Sequence, residues 1–185
     1  MHIVNPRLEP RIKTPRLVLR SLREADLGAI VAGIGDLAVS RMLARAPYPY
    51  RQADALAFFA SAARNAAAGR SLFLVIEHDG TLIGGIAIDA MPVLCEFGYW
   101  LTRPWWGHGF ATEAASAILA YAFDRLHLRL IRSGVFVDNP ASLRVQTKLG
   151  FSRVGTSLKH SLARRSEVAH IDTVLTRGRF RQAVR

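Results

Sequence analysis

A loop with two glycines, set between an extended aromatic run and an alanine-rich helix, constrains the fold of this chain more than any other feature. The loop is Trp106-Gly107-His108-Gly109-Phe110-Ala111, and it follows the run Phe97-Gly98-Tyr99-Trp100-Leu101. Glycines let the backbone approach a ligand closely, and the unpaired N–H groups of a first helical turn attract anions. This part of the chain therefore predicts a strand, a phosphate-binding loop and a helix that begins near Gly109.

Two familiar nucleotide-binding loops do not fit these residues. The loop lacks the Lys-Ser/Thr ending of a P-loop, and it lacks the third glycine of a dinucleotide-binding fingerprint. Many ordinary turns also contain a short Gly-x-Gly, so a turn without a ligand is the alternative interpretation. The strand before the loop and the helix after it favour the anion site.

A second segment carries Asn139-Pro140-Ala141-Ser142 and, a few residues later, Lys148-Leu149-Gly150-Phe151. Together the two segments resemble the GNAT superfamily of acetyl-CoA-dependent N-acetyltransferases, whose pyrophosphate loop reads Gln/Arg-x-x-Gly-x-Gly/Ala. Gly109 and Ala111 match that pattern, whereas Trp106 stands where Gln or Arg is usual. The resemblance extends over roughly residues 15–175. It implies acetyl-CoA as the co-substrate, with no metal.

The spacing Pro-x-Trp-Gly-x-Gly at residues 104–109, together with Asn139-x-x-Ser142, is similar to one branch of this family. That branch contains the ribosomal-protein N-terminal acetyltransferases, so the resemblance implies the N-terminal α-amine of a protein or peptide as the acceptor. A small polyamine or antibiotic amine is the alternative within the family. A catalytically silent CoA-binding or RNA-associated module is the alternative outside it. The loops at residues 46–52 and 158–165 should shape the acceptor site.

The composition fits a single domain over residues 1–185, with a core at about 15–176 and a basic C-terminal tail at 177–185. Half of the 185 residues are hydrophobic, which is enough for one core. No apolar run reaches the roughly 18 residues that a membrane helix needs, and residues 1–6 lack the apolar core of a signal peptide. The single cysteine, Cys95, excludes an internal disulfide. We therefore expect a cytoplasmic protein.

The charge is strongly positive, with 25 Lys and Arg against 14 Asp and Glu and a formal net charge of +11. A positive field would attract the phosphates of coenzyme A, and nucleic-acid binding is the rival explanation. The basic residues are scattered, and no recognised nucleic-acid motif accompanies them. We therefore interpret the charge as a solvated basic surface and regard nucleic acid as an unexpected partner.

The pattern of apolar residues predicts a mixed α/β fold. Two apolar runs, 72–76 and 82–88, flank Asp79-Gly80, a pair typical of a tight hairpin turn. Residues 93–101 and 130–137 predict further strands, 140–149 a helix, and 151 onward two closing strands. The helix expected after residue 50 should bury Leu56, Phe59, Ala60 and Ala63. The result is a mostly antiparallel sheet of about seven strands, flanked by helices.

In the family, the two strands that flank the pyrophosphate helix splay apart and hold the cofactor, and here they would be residues 93–101 and 130–137. Their unpaired backbone groups would complete a ladder with the amides of the pantetheine arm. The resemblance then implies the following cofactor contacts: Phe97, Tyr99, Leu101, Gly107, His108, Gly109, Phe110, Ala111, Thr112, Asn139 and Ser142. A backbone N–H near residues 97–99 would stabilise the oxyanion.

Two side chains are the candidate catalysts. Glu96, a carboxylate within an apolar strand, would accept the proton of the amine, because burial raises a carboxyl pKa. The alternative is a salt bridge to a nearby arginine such as Arg103. Many family members carry a tyrosine acid where this chain has Gln146, which cannot donate a catalytic proton. The branch resembled here offers Ser142 as the acid, and the alternative role of Ser142 is to cap the following helix.

Three aromatic residues, Tyr48, Tyr50 and Trp100, are predicted to wall the acceptor pocket. For the two tyrosines, anchoring a loop to the core is the alternative. A homodimer is also expected, because an exposed final strand offers an edge to a second subunit.

Overall fold

The computed structural model describes residues 10–185, so the segment 1–6, with its predicted lack of a signal peptide, lies outside the described residues. One sheet and six helices make up this part of the chain. The strands are β1 (Ile12–Lys13), β2 (Val18–Ser21), β3 (Leu72–His78), β4 (Thr81–Asp89), β5 (Glu96–Leu101), β6 (Leu130–Phe136), β7 (Ser152–Ser161) and β8 (Ser166–Thr176). The helices are α1 (Leu27–Ile34), α2 (Leu37–Ser40), α3 (Gln52–Ala67), α4 (Phe110–Asp124), α5 (Pro140–Lys148) and α6 (Arg177–Ala183).

The eight strands lie in the order β1-β2-β3-β4-β5-β6-β8-β7. All neighbours are antiparallel except β5 and β6, which are parallel. The predicted mixed α/β fold with a mostly antiparallel sheet is confirmed, and the two-residue strand β1 brings the count to eight. The predicted hairpin is confirmed as well, because Asp79 and Gly80 both adopt positive φ angles, 47° and 76°.

Alternating side chains of β5 separate two hydrophobic clusters. Phe97 and Leu101 belong to the larger cluster, which includes Ile118 of α4, and we call this side of the sheet the α4 face. Trp100 points the other way and packs in a second cluster with Ile30 of α1 and residues of α3, and we call that side the α1 face. Because successive residues of a strand alternate between faces, the register assigns every strand residue to one of them.

Two details of the predicted elements are wrong. Strand β5 begins at Glu96, because residues 91–94 form a turn in which Val93 is 85% exposed. Helix α3 buries Ala55 and half-buries Phe58 and Phe59, whereas Leu56, Ala60 and Ala63 are exposed. The edge of the Phe58 ring packs on Phe73 of β3 with ring centroids 4.9 Å apart, so the bulky rings determine the buried face.

The segment predicted as a basic tail, residues 177–185, is mostly helical. Residues 177–183 form helix α6, whose Phe180 is 4% exposed and packs against Phe123 of α4. Arg179 Nε donates to the Gly150 carbonyl at 3.1 Å. These contacts attach α6 to the core through Phe180 and Arg179, whereas residues 181–185 are exposed.

The final strand, β8, lies between β6 and β7, so it is not available to pair with a second subunit. The strands at the two ends of the sheet are β1 and β7. The prediction that the final strand pairs two subunits is therefore wrong. Within residues 10–185, no helix is long and apolar enough to cross a membrane.

Candidate active site

Strands β5 and β6 pair at a single position, Glu96 opposite Arg132, and then diverge. The Arg132 N–H donates to the Cys95 carbonyl at 2.8 Å, and Ser133 Oγ donates to the Phe97 carbonyl at 2.8 Å. The Phe97 carbonyl thus points toward β6. Because the N–H and C=O groups of alternate residues point to the same side of a strand, the N–H and C=O of Tyr99 also point toward the gap. Buried backbone groups without partners are costly. The gap therefore suits an extended ligand that supplies them.

A buried polar network supports the β6 side of this gap. Gln146 of α5, 2% exposed, donates through Nε2 to Ser133 Oγ at 2.9 Å and accepts from Thr173 Oγ1 of β8 at 2.7 Å. The Ser133 hydroxyl in turn occupies the Phe97 carbonyl, which a regular β6 would have bonded. Gln146, which stands where many family members have tyrosine, thus holds the divergence of the strands in place. This role depends on the order of the strands, which sequence patterns do not show.

The glycine loop lies at the end of β5 that is farther from the pairing position. Gly107 and Gly109 adopt φ angles of 80° and 81°, residues 106–109 are exposed, and α4 begins at Phe110. Within the described part of the chain, the first backbone donor of α4 with a hydrogen bond is the N–H of Glu113, which bonds to the Gly109 carbonyl. The N–H groups before it remain available to a phosphate.

Trp106, which departs from the family pattern, fixes the loop to the strand. Its indole Nε1 donates to the Leu101 carbonyl at 2.8 Å. That bond occupies one lone pair of the Leu101 carbonyl, so the N–H is the backbone group of Leu101 that is wholly free for the predicted cofactor contact. The exposed His108 ring stacks on the Phe110 ring with centroids 5.8 Å apart, which fits the role of a loop residue.

An ion pair holds the loop from behind. Glu113 accepts from Arg16 Nε at 2.7 Å, from the Arg16 N–H at 2.9 Å and from Thr14 Oγ1 at 2.6 Å. Burial pushes the pKa of Glu113 upward, but these hydrogen bonds and the charge of Arg16 outweigh it, so the pKa lies below its usual value. Arg16 also donates to the His108 carbonyl at 3.0 Å. The first turn of α4 and the glycine loop are thereby held to the N-terminal strands.

Ser142 and Tyr99 meet across the other wall of the gap. The Tyr99 hydroxyl donates to Ser142 Oγ at 3.1 Å, and burial raises the pKa of the Tyr99 phenol, although this hydrogen bond offsets part of the rise. Asn139 Oδ1 accepts from the Ser142 N–H at 3.1 Å and caps α5. The alternative that the Ser142 hydroxyl is the cap is therefore wrong. Asn139 keeps its amide N–H₂ wholly free for a ligand.

Glu96 does not have the predicted buried setting, because it is the first residue of β5 and follows an exposed turn. Its side chain is 44% exposed and pairs with Lys159 of β7 at 3.1 Å. The salt bridge considered as the alternative does exist, but with Lys159. Arg103 instead lies 3.9 Å from Asp36.

The three predicted acceptor aromatics differ in exposure. Tyr50 and Trp100 are 9% and 8% exposed and pack in the cluster on the α1 face, whereas Tyr48 is 39% exposed. Burial, followed by the charge of Asp54, raises the pKa of Tyr50 to about 12. Tyr48 is thus the one ring of the three with a large free surface.

The turn between β7 and β8 closes the α1 side of the gap. Arg164 donates to the Arg41 carbonyl at 2.7 Å and to both oxygens of Asp138 at 2.9 and 3.0 Å. The hydrogen bond from Arg164 lowers the pKa of Asp138. Asp138 directly precedes the Asn139 cap, so one guanidinium joins the hairpin turn, the segment after α2 and the start of α5. The sequence predicted that the loops at residues 46–52 and 158–165 shape the acceptor site, but it gave no signal for this ion pair.

The sheet with one divergent parallel pair, bordered by a glycine loop, defines a class of acyl-group transferases. Residues 16–152 match the family model of the acetyltransferase (GNAT) domain, and the chain belongs to this family. A curated relative, the uncharacterized N-acetyltransferase YoaA of Bacillus subtilis, is 32% identical over 155 residues, which cover 79% of this chain and 85% of that protein.

Solved structures share the fold. RimL, a ribosomal L7/L12 alpha-N-protein acetyltransferase in complex with coenzyme A, superposes with a TM-score of 0.81 at 18% identity, covering 90% of this chain and 98% of that one. The spermidine N-acetyltransferase from Vibrio cholerae, in complex with CoA and spermine, gives 0.78 at 19% identity, with coverage of 90% and 99%. At such identities the similarity shows the fold, and the acceptors named belong to those two proteins.

Proposed function

We propose that this GNAT N-acetyltransferase acetylates the N-terminal α-amine of a protein or peptide. The observation that carries the proposal is that three acidic side chains on the α1 side of the gap are paired with basic ones, whereas Asp172 contacts His170 and Ser157. Glu96 pairs with Lys159, Asp138 with Arg164, and Asp89, the register neighbour of Glu96, with Arg45 at 2.7 Å. A polyamine with several positive charges needs free carboxylates, whereas an α-amine brings one charge.

The gap between β5 and β6 and the glycine loop form one continuous path for acetyl-CoA. The free N–H groups at the start of α4 would bind the pyrophosphate, and the edge of β5 would bond to the pantetheine amides. The contacts we propose are those expected from the sequence, with Leu101 contributing mainly its N–H and Asn139 mainly its amide N–H₂. The Tyr99 N–H would stabilise the oxyanion.

Two groups on opposite faces of the sheet would move the protons. We propose that Glu96, on the α1 face, takes the proton of the acceptor ammonium directly or through a water molecule. Ser142, supported by the Tyr99 hydroxyl on the α4 face, would return a proton to the departing thiolate. The acceptor would then enter from the α1 face beside Tyr48, Tyr50 and Trp100.

The buried cysteine supports a cytoplasmic location for this reaction. Cys95 is 3% exposed, its thiol donates to the Pro92 carbonyl at 3.3 Å, and burial raises its pKa. A protonated, enclosed thiol neither forms a disulfide nor competes as a nucleophile. We therefore propose that the protein works in a reducing compartment.

The test is an acceptor panel. Acetyl-CoA binding is measured by isothermal titration, and thiol release is measured with peptides that start in Ser or Ala, with the same peptides blocked at the N-terminus, and with spermidine. We expect turnover on the free peptides and none on the blocked ones. Faster turnover on spermidine would overturn the α-amine proposal and favour the polyamine acceptor of the Vibrio cholerae neighbour. Binding without transfer to any amine would indicate a silent CoA-binding module.

A further inference from the structure

A histidine and an aspartate lie on the α1 face of β8, in a part of the site that the family motifs do not cover. Arg132 pairs with Glu96 on one side and with Val174 on the other. His170 and Asp172 precede Val174 by four and two residues, so their side chains lie on the same face of the sheet as that of Val174. The pair therefore lies on the same side of the sheet as Glu96, next to the strand that borders the gap.

The two side chains form an oriented dyad. His170 Nδ1 lies 2.9 Å from Asp172 Oδ1, which also accepts from Ser157 Oγ of β7 at 3.1 Å. Burial pushes the pKa of Asp172 upward, but the hydrogen bonds from His170 and Ser157 and the nearby charges outweigh it and lower the pKa. An ionised carboxylate only accepts, so Nδ1 of the neutral imidazole carries the proton. Nε2 is then the atom with a free lone pair.

The imidazole lies across β6 toward the gap. Gly134 makes this possible, because a Cβ built at that position would overlap the imidazole carbon Cε1 and come within 2.8 Å of Nε2. The ring edge also packs on Phe136 with centroids 5.8 Å apart. In the described part of the chain, no hydrogen bond engages Nε2, yet no buried side-chain nitrogen or oxygen lacks a partner. Nε2 is therefore accessible to solvent, although the His170 side chain as a whole is only 8% exposed.

Charged groups from each neighbouring element face this imidazole, and they balance one another. Glu96 and Lys159 neutralise each other as an ion pair, as do Arg164 and Asp138, while Arg132 is exposed to solvent. Asp172 is the one charged group in hydrogen-bond contact with the imidazole among the residues described. It stabilises the imidazolium that forms when Nε2 accepts a proton.

We propose that His170, oriented by Asp172, is a second proton acceptor for the amine, beside Glu96. This inference rests on the proposed acetylation of an amine. The ammonium of the acceptor gives one proton to Nε2, the neutral amine forms a C–N bond with the thioester carbonyl, and the C–S bond breaks. The nitrogen then loses a second proton, which passes through water to restore the Ser142 hydroxyl after that group has protonated the thiolate. The thiolate leaves with a proton from Ser142, and the imidazolium returns its proton to solvent. No oxidant or further reactant is required.

The pH dependence of kcat/KM tests the proposal, measured with acetyl-CoA and the best acceptor of the panel. An imidazole base gives a rising limb between about pH 5 and 8. We expect His170→Gln to lose that limb and to lower kcat/KM by about 10- to 100-fold. Asp172→Asn should lower it less, and the double variant Glu96→Gln with His170→Gln should lose more than either single variant. Acetyl-CoA affinity, measured by titration, should stay within about twofold in all of them.

The matched control is His160→Gln. His160 pairs with Glu167 at 3.3 Å on the same hairpin, but it lies on the exposed surface and does not face the gap. We expect its pH profile to equal that of the wild type. A His170→Gln enzyme with the wild-type pH profile would overturn the inference, whether its rate is unchanged or uniformly lowered. A wild-type protein that acetylates no amine would overturn the proposed function, and this inference with it.

Discussion

The two faces of the sheet at the divergent strands are built from different chemistry. On the α4 face, neutral groups dominate: loop N–H groups, the hydroxyls of Tyr99 and Ser142, and the amide of Gln146. On the α1 face, titratable pairs dominate, among them Glu96 with Lys159 and His170 with Asp172. A face that binds one invariant ligand can use backbone and fixed hydroxyls, whereas a face that receives an amine and removes its proton needs groups that change charge.

The strongest test of this contrast is Gly134→Ala. The new Cβ would overlap the His170 imidazole and approach the Ile171 carbonyl to 2.5 Å, so the ring must leave its place on the α1 face. We expect a loss of about 3 kcal/mol in the free energy of unfolding, measured with urea. Gly178→Ala in helix α6 is the control, because its Cβ meets nothing within 4 Å, so the change should leave stability unchanged or raise it by up to about 1 kcal/mol. If Gly134→Ala and the wild type have the same free energy of unfolding, the His170 imidazole is not held rigidly against Gly134.

Gln146→Leu removes the network of the α4 face. Thr173 Oγ1 loses its acceptor in a buried site, and Ser133 Oγ loses a donor. We expect a loss of about 2 kcal/mol in unfolding free energy, together with weaker binding of acetyl-CoA in titrations. Thr147→Val changes an exposed neighbour on the same helix and serves as the control. If the Gln146→Leu protein is destabilised but binds acetyl-CoA as tightly as the wild type, the network does not determine the shape of the gap.

Glu113→Gln tests the ion pair behind the glycine loop through its pH dependence. The pKa of Glu113 is lowered in the folded protein, so the stability it contributes is present above its ordinary value of 4.5 and is lost as pH falls through the lowered pKa. We expect the variant to be about 1 kcal/mol less stable at pH 7, with the difference shrinking in acid. Glu24→Gln, at an exposed carboxylate, is the control. A difference that does not vary with pH would exclude a role for the charge.

The smallest effect concerns the balance of charge on the α1 face. Lys159→Met keeps the aliphatic length of the side chain but leaves Glu96 without its cation. We expect the KM for spermidine to fall about fivefold relative to the KM for a peptide, in steady-state assays at low salt. Lys148→Met, at an exposed lysine of α5, should change neither constant. An unaltered ratio in Lys159→Met would show that pairing of the carboxylates does not select the acceptor.

Sequence predicted the regions whose signals are local. The glycine loop and the Asp79-Gly80 hairpin each depend on neighbouring residues, and each forms as expected. The boundary of β5 failed because Val93 and Leu94 are apolar yet exposed in a turn. The buried face of α3 failed because alanines occupy nearly every side of that helix, so helical spacing alone does not distinguish them.

The charged groups of the α1 face were largely beyond prediction, for a physical reason. Lys159 and Glu96 are 63 positions apart, and Arg164 and Asp138 are 26 apart. Such pairs depend on strand order and on the course of the β7–β8 hairpin, which periodicity does not encode. One signal was available: His170 and Asp172 alternate onto one face of a predicted strand. Alternation places the two side chains on one surface, but nothing in the sequence indicates that Gly134 lies beneath the ring.

The hydrogen bonds of Arg164 limit how this protein can acquire new acceptors. The same guanidinium fixes the length of the hairpin turn against the segment after α2 and against Asp138. An insertion or deletion in any of these three segments would separate the partners and release the start of α5 with it. The walls of the acceptor site are therefore fixed in length as a set, and acceptor preference must change by exchanging side chains on a constant backbone.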